Sequence, residues 1–205
     1  GPCAPAFGMQ PWHASLKDAY EVLRGEKREV GNYDRWERES LKDAEHPLVP
    51  YNVTEPFRLR RFPDEEVTIK GRLIGGCMDC LVNLLGTSFE VRAFQDLYEE
   101  DGIIWFLESC DLNIMSIRRA IWQMKNAGWF EHVKGFLIGR PYCHGSEMFG
   151  IDQYEAVMGL LAEYEVPVIM DLDIGHLAPM MPMISGALAK VHSVGNSIEI
   201  RYIYE

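Results

Sequence analysis

The sequence predicts an α/β fold: a mostly parallel sheet with crossover helices and an antiparallel hairpin at its C-terminal end. Three observations carry that prediction. Apolar runs beginning near Val67, Ile103, Val133 and Val166 alternate with segments of ten or so residues whose apolar positions recur at helical spacing. The chain closes on two alternating runs, "GALAKVHSV" and "NSIEIRYIYE", joined near Gly195-Asn196, a hairpin signal. With 205 residues, 47% of them hydrophobic, the chain is long enough to bury a substantial core.

The elements follow in order. Residues 1–14, "GPCAPAFGMQPWHA", hold too many prolines and glycines for a regular element and read as a loop. Ser15 is placed to cap a helix running to about Leu23, with Asp18 in the capping-box position and Gly25 as the stop. Residues 27–47 are charged and weakly patterned, which predicts a solvated excursion with a short helix at most. From Val67, "VTIKGRLIGG" alternates β-branched and polar residues and stops at two glycines, a strand closing in a tight turn. Met78, Leu81, Val82 and Leu85 then share helical spacing, with Gly86 as the stop. A strand at 103–107 leads to a helix over Ile114–Ala127, whose Ile114, Ile117, Ile121 and Met124 share a face and which Gly128 ends. "VKGFLIGR" at 133–140 is a buried strand, 152–164 a helix, and "VPVIMDLDIG" a further strand with its exit.

A formal charge of −11, from 31 acids and 20 bases, opposes a phosphate-backbone partner, so nucleic acid and anionic membrane are excluded as partners. No run approaches the roughly 18 apolar residues of a membrane span, and the N-terminus lacks the pattern of a signal peptide. Five cysteines fit a reducing compartment better than a disulfide framework, and the chain reads as cytoplasmic.

In parallel sheets, ligands gather beyond the carboxyl ends of the strands. Three such ends carry chemistry here: Gly75-Gly76-Cys77, Glu108-Ser109-Cys110 and Asp173-Ile174-Gly175-His176. Glu108 and His176 each follow an apolar strand and can therefore meet on one sheet edge. A buried carboxylate on one imidazole nitrogen fixes the tautomer and leaves the other nitrogen to take a proton, which is two thirds of a hydrolase triad. The plainer alternatives are a helix N-cap at Glu108 or a salt bridge from it to Arg118 or Arg119, and a surface loop histidine at 176. Cys77 and Cys80 form a C-x-x-C with no second pair to complete a structural zinc site; a redox pair is possible, and buried inert thiols are the simpler reading. No G-x-S-x-G elbow is present, and Ser146 in "HGSEMFG" reads as loop.

The segments "GRLIGGCMDCLVNLLGT", "GIIWFLESCDLNIMSIRRAIWQMKNAGWFEHVKGFLIGRP" and "PVIMDLDIGHLAPMMPMISGALAKV", in this order, resemble the C-terminal domain of the LD-carboxypeptidase family, which includes muramoyltetrapeptide carboxypeptidases and microcin C immunity peptidases. The resemblance runs from about residue 67 to 203. It implies a Ser-His-Glu serine peptidase in which Glu108 is the triad acid and His176 the general base, with no metal or organic cofactor. The serine of that family lies in an N-terminal domain, which would precede Gly1; residues 1–66 are then an interdomain link and partly irregular segment, and 67–205 the C-terminal domain. The implied partners are a small peptide, muropeptide or aminoacyl-nucleotide substrate and the missing domain, and the fragment alone is expected to be inactive.

Gly76 and Cys77 stand at the turn where many family members have G-G-N-L, so Cys77 replaces an asparagine that would touch substrate. Arg140, after the "FLIG" strand, is the candidate cation for a substrate carboxylate, with a surface salt bridge as the alternative. A non-enzymatic alternative is a binding or oligomerisation module, with Trp12, Trp36 and the cluster Met180, Met181 and Met183 as a self-association surface for a homodimer.

Overall fold

Every residue of the run Ile103–Glu108 is buried, as in a strand covered on both faces. In the computed structural model, which describes residues 1–204, this strand lies inside an eight-stranded sheet. The strands are β1 (Glu29–Gly31), β2 (Arg35–Trp36), β3 (Glu55–Pro56), β4 (Arg60–Phe62), β5 (Val67–Cys77), β6 (Ile103–Glu108), β7 (Val133–Gly139), β8 (Glu147–Met148), β9 (Ile151–Asp152), β10 (Val168–Leu172), β11 (Leu188–Val194) and β12 (Ser197–Ile203). The helices are α1 (Ala14–Leu23), α2 (Met78–Leu81), α3 (Arg92–Leu97), α4 (Ile114–Asn126) and α5 (Gln153–Leu161).

The sheet order is β1-β12-β11-β5-β6-β7-β10-β4, and β2-β3 and β8-β9 form separate small pairs. Strands β5, β6, β7 and β10 run parallel. Strand β4 closes one edge antiparallel, and β11, β12 and β1 extend the other. The chain therefore has the predicted α/β fold, with a parallel centre and an antiparallel C-terminal hairpin. Glu205, which the sequence reading puts at the end of the last strand, lies outside the described residues.

The parallel arrangement sends alternate side chains of β6 to two different cores. Ile103, Trp105 and Leu107 face Ile117, Ile121 and Met124 of α4 and Val157 and Leu161 of α5. Ile104 and Phe106 face the opposite side, where Val22, Tyr33 and Phe57 from the N-terminal segment, together with Met181, cover the sheet beside its own Val30, Val191 and Ile200. Helix α4 forms because its apolar stripe is backed by a cap, in which the Asn113 side chain accepts the Ser116 N–H at 3.0 Å. Helix α5 opens on a capping box between Asp152 and Glu155, and a 3-10 turn at Ala162–Tyr164 completes the predicted span. No helix among the described residues is long and apolar enough to cross a membrane.

Most departures from the sequence reading lie in the first 66 residues. The cap of α1 is His13, whose ring accepts the Ser15 N–H at 3.1 Å, while Ser15 itself is buried inside the helix. The loop at 1–14 contains a 3-10 turn at Ala4–Gly8. The predicted solvated excursion at 27–47 is corrected more deeply: it contributes β1 to the main sheet and buries Val30, Tyr33, Trp36 and Glu37. Its charge pattern hides a cover strip because the apolar residues that do the covering are spaced irregularly among acids and bases. Of the residues expected to form a self-association surface, two are corrected to core positions. Trp36 is 5% exposed and Met181 is fully buried, while Trp12, Met180 and Met183 are half-buried. The helix predicted after Cys77 is a single α turn followed by a 3-10 turn at Val82–Leu84, and α3 went unpredicted.

Candidate active site

Strands β5 and β6 set the first two side chains of the site. Cys77 and Glu108 are register partners at the carboxyl ends of these parallel neighbours, so the ladder holds them side by side. Strand β10 ends nearby, and the loop after it returns His176 over Glu108. The His176 Nδ1–H donates to Glu108 Oε2 at 2.9 Å. The Glu108 side chain is only 7% exposed and the His176 ring is 44% exposed. This arrangement assigns the proton to Nδ1 and leaves the Nε2 lone pair for an incoming acid.

Close approach of the loop depends on glycine. Gly175 has φ +121°, and a Cβ there would stand 2.8 Å from Glu108 Oε2 and 3.0 Å from Glu108 Cβ. Gly139, at the end of β7, passes so close to the loop that a Cβ would meet the Ile174 carbonyl oxygen at 2.0 Å and Glu108 Cβ at 2.9 Å. Gly175→Ala is therefore expected to cost more than the roughly 1–3 kcal/mol of backbone strain alone. Gly145→Ala, at φ +79° with open space around it, serves as the control for strain without a clash. Equal losses in urea denaturation at the two positions would remove the argument from close packing.

The His176 loop is pinned from beneath. Asp173 accepts from Arg140 Nη1 at 3.2 Å and from the Tyr33 amide at 3.0 Å, and its carbonyl accepts from the Met181 amide at 2.6 Å. The Ala178 carbonyl accepts from the Glu37 amide at 2.6 Å. Burial pushes the Asp173 carboxyl up to about 6, against the pull of Arg140 and the Tyr33 amide. Arg140 is not a surface ion-pair partner. It is 2% exposed, donates from Nη2 to the Asp171 carbonyl at 2.8 Å, and lies over the Trp36 ring at 4.3 Å. Burial lowers its pKa.

Arg140 also borders a cavity of about 850 Å³, with Trp36, His144, Tyr154 and Asp171. Neither Glu108 nor His176 lines it.

Of the sequence-predicted site residues, Glu108, His176 and Cys77 come together, and Gly76 sits one step behind Cys77 on the same strand. The Cys77 thiol donates to Asp79 Oδ2 at 3.3 Å. Burial first, and then the neighbouring Glu108, push the thiol up to about 12. A thiol so disfavoured as thiolate is a poor nucleophile, and Cys77 does not stand in for a serine. Cys80 is exposed rather than buried.

Two neighbours escaped the sequence reading. Asp79 accepts the amides of Cys110 at 3.0 Å and Asp111 at 2.8 Å, tying the start of α2 to the segment after Glu108. Partial burial opposes ionisation of Asp79, but these amides hold its carboxyl below the usual range. Tyr142 presents its ring 6.2 Å from that of His176. An acid in the first turn after a strand end was the available signal for Asp79; nothing local marked Tyr142.

Residues 70–191 match the family described as the LD-carboxypeptidase C-terminal domain. A Vibrio cholerae protein named as a carboxypeptidase is 21% identical over 160 residues, covering 75% of this chain and 44% of the relative. The microcin C7 self immunity protein MccF, in its wild-type apo state, superposes with a TM-score of 0.72 at 22% identity, over 100% of this chain and 60% of MccF. MccF has also been solved with aspartyl sulfamoyl adenosine, and as an active-site mutant in which a serine, an asparagine and a lysine are replaced by alanine. An MccF-like protein from Streptococcus pneumoniae, in complex with AMP, superposes with a TM-score of 0.68 at 19% identity, over 96% of this chain and 59% of that one. The chain thus spans less than two thirds of the length of these relatives.

Proposed function

The chain belongs to the LD-carboxypeptidase family, and on that premise we propose that it supplies the acid and base of a serine hydrolase that cleaves an amide bond in a muropeptide or a peptidyl- or aminoacyl-nucleotide. One observation carries the reading: a buried carboxylate at 2.9 Å from Nδ1 of a half-exposed imidazole, at the carboxyl edge of a parallel sheet.

The chemistry follows from that geometry. Glu108 holds the Nδ1 proton and so keeps Nε2 basic. Nε2 removes the proton of a serine contributed by a domain outside residues 1–205, and the alkoxide attacks the scissile carbonyl. Amide N–H groups beside that serine hold the oxyanion, and the imidazolium, stabilised by Glu108, then protonates the leaving amine. Water repeats the sequence on the acyl-enzyme. Arg140 acts here by holding Asp173 and the His176 loop, through Nη1 to the Asp173 carboxylate and Nη2 to the Asp171 carbonyl. An active-site serine in MccF, and the aspartyl sulfamoyl adenosine bound by that protein, support the serine mechanism and the nucleotide-linked substrate class. Five free thiols suit a reducing compartment, the cytoplasm.

The test compares the 205-residue chain with the same chain joined to its serine-bearing domain, on a tetrapeptide muropeptide and on an aminoacyl-nucleotide analogue. Hydrolysis of either compound is expected only from the joined protein. Turnover by the 205-residue chain at the same rate would end the proposal.

A further inference from the structure

We propose that Cys77, Glu108 and His176 form a binding site for a divalent metal ion of the zinc class, and that the ion silences the dyad by occupying it. One atom from each of the three side chains, a thiol sulfur, a carboxylate oxygen and an imidazole nitrogen, lies within 4.8 Å of the other two. Zinc bonds of about 2.0–2.3 Å place tetrahedral ligand atoms roughly 3.3–3.8 Å apart, so the set is at most about 1.5 Å from closure. Two of the three ligands are already fixed, because Cys77 and Glu108 are register partners on adjacent strands. The third rides on a loop with a half-exposed ring, which can make the adjustment.

Charge and ligand type favour the same ion. Thiolate and carboxylate together neutralise a divalent cation, and a neutral imidazole completes a sulfur, nitrogen and oxygen set suited to zinc and cobalt rather than to magnesium or calcium. Three protein ligands leave one coordination position for water. Binding breaks the Cys77 S–H bond, releases that proton to water and forms the metal–sulfur bond; His176 gives up its hydrogen bond to Glu108, and the imidazole moves its proton through water to Nε2 so that neutral Nδ1 faces the ion; no redox change is involved. Asp79 loses the thiol hydrogen bond but keeps the amides of Cys110 and Asp111. With the ion in place, Glu108 and His176 are committed to the metal and the imidazole no longer serves as a base. That inhibitory consequence rests on the hydrolase reading; the binding site itself does not.

The experiment is a cobalt titration of the 205-residue chain. The near-ultraviolet thiolate-to-cobalt band and the visible bands of a tetrahedral ion are expected, and zinc should displace both. Cys77→Ala should abolish the thiolate band and weaken binding by more than about tenfold, since loss of a group that merely supports a ligand costs that much. Cys77→Asn, which keeps a polar side chain at the strand end, guards against a folding defect, and Cys80→Ala should bind as the unaltered chain does. Absence of the thiolate band, or its survival in both Cys77 variants with native circular dichroism, overturns the site. In the joined, serine-bearing protein, zinc should suppress hydrolysis and a chelator should restore it. Hydrolysis unaffected by zinc at a concentration that fills the cobalt-competent site overturns the silencing. Cobalt binding in a joined protein that hydrolyses nothing would instead sink the hydrolase reading and leave the metal site standing.

Discussion

Glu108→Gln is expected to lower kcat of the joined, serine-bearing hydrolase by about 10⁴-fold while leaving the fold intact. Glutamine matches the carboxylate in shape, so the strand and the glycine-lined loop around it have no reason to move. What changes is the proton inventory. In the native pair Nδ1–H donates to Oε2 at 2.9 Å. An amide placed there can present its NH₂ to the ring, and Nδ1 then becomes the acceptor and Nε2 carries the proton. A protonated Nε2 cannot accept from serine, and the imidazolium formed during reaction loses its stabilising charge. An acid-to-amide change at the equivalent place in a Ser-His-Asp triad costs about this factor for the same reason. His176→Ala should cost at least as much, and the double variant little more than either single one, because the two residues act as one unit. Substrate affinity should be nearly unchanged in Glu108→Gln, so the loss falls on kcat rather than KM. A wild-type rate in Glu108→Gln would show that the dyad is structural.

How much of this was legible follows from what each residue contacts. The strand ending in Glu108 and the loop after the next apolar run but one were readable, because a parallel α/β order sends every crossover back to the same edge. Both members of the dyad could therefore be named without coordinates, although the close pass of Gly175 over the carboxylate could not. Arg140 was legible as a cation beyond a strand but not as a buried one. Its partners are Asp173, the Asp171 carbonyl and the Trp36 ring, and Trp36 sits in a segment whose charged composition reads as solvated. That segment was misread because its burial is dictated by distant partners: the Tyr33 amide is held by Asp173, and the Glu37 amide by the Ala178 carbonyl. Local periodicity carries no information about a strip that covers one face of a sheet without regular structure of its own. The cap of α1 failed for a smaller reason, in that a histidine ring replaced the expected hydroxyl at the first position.

The pinning of the His176 loop gives the second large effect. Arg140 and Asp173 are 2% and 0% exposed at their side chains and 3.2 Å apart, so removing either leaves a charge buried without its partner. Arg140→Met and Asp173→Asn are each expected to destabilise the chain by about 3–5 kcal/mol at neutral pH, and a double variant carrying leucine at 173 by less than their sum. The two single variants differ in their response to acid. The Asp173 carboxyl, at about 6 in the folded chain, lies above the value of roughly 3.9 for an unfolded aspartate. The folded state therefore holds a proton that the unfolded state has released, and over the window from about 4 to about 6 this group makes stability fall as pH rises. Losing the Arg140 guanidinium raises the carboxyl further, so in Arg140→Met it neutralises more readily and the defect should shrink between pH 7 and pH 5. Asp173→Asn strands a guanidinium that cannot give up its proton in that range, so its defect should not be relieved by acid, and the native fall in stability through pH 6 should flatten. Urea denaturation of the three proteins at pH 5 and pH 7 separates these responses; parallel shifts in all three would show that Asp173 does not titrate against Arg140.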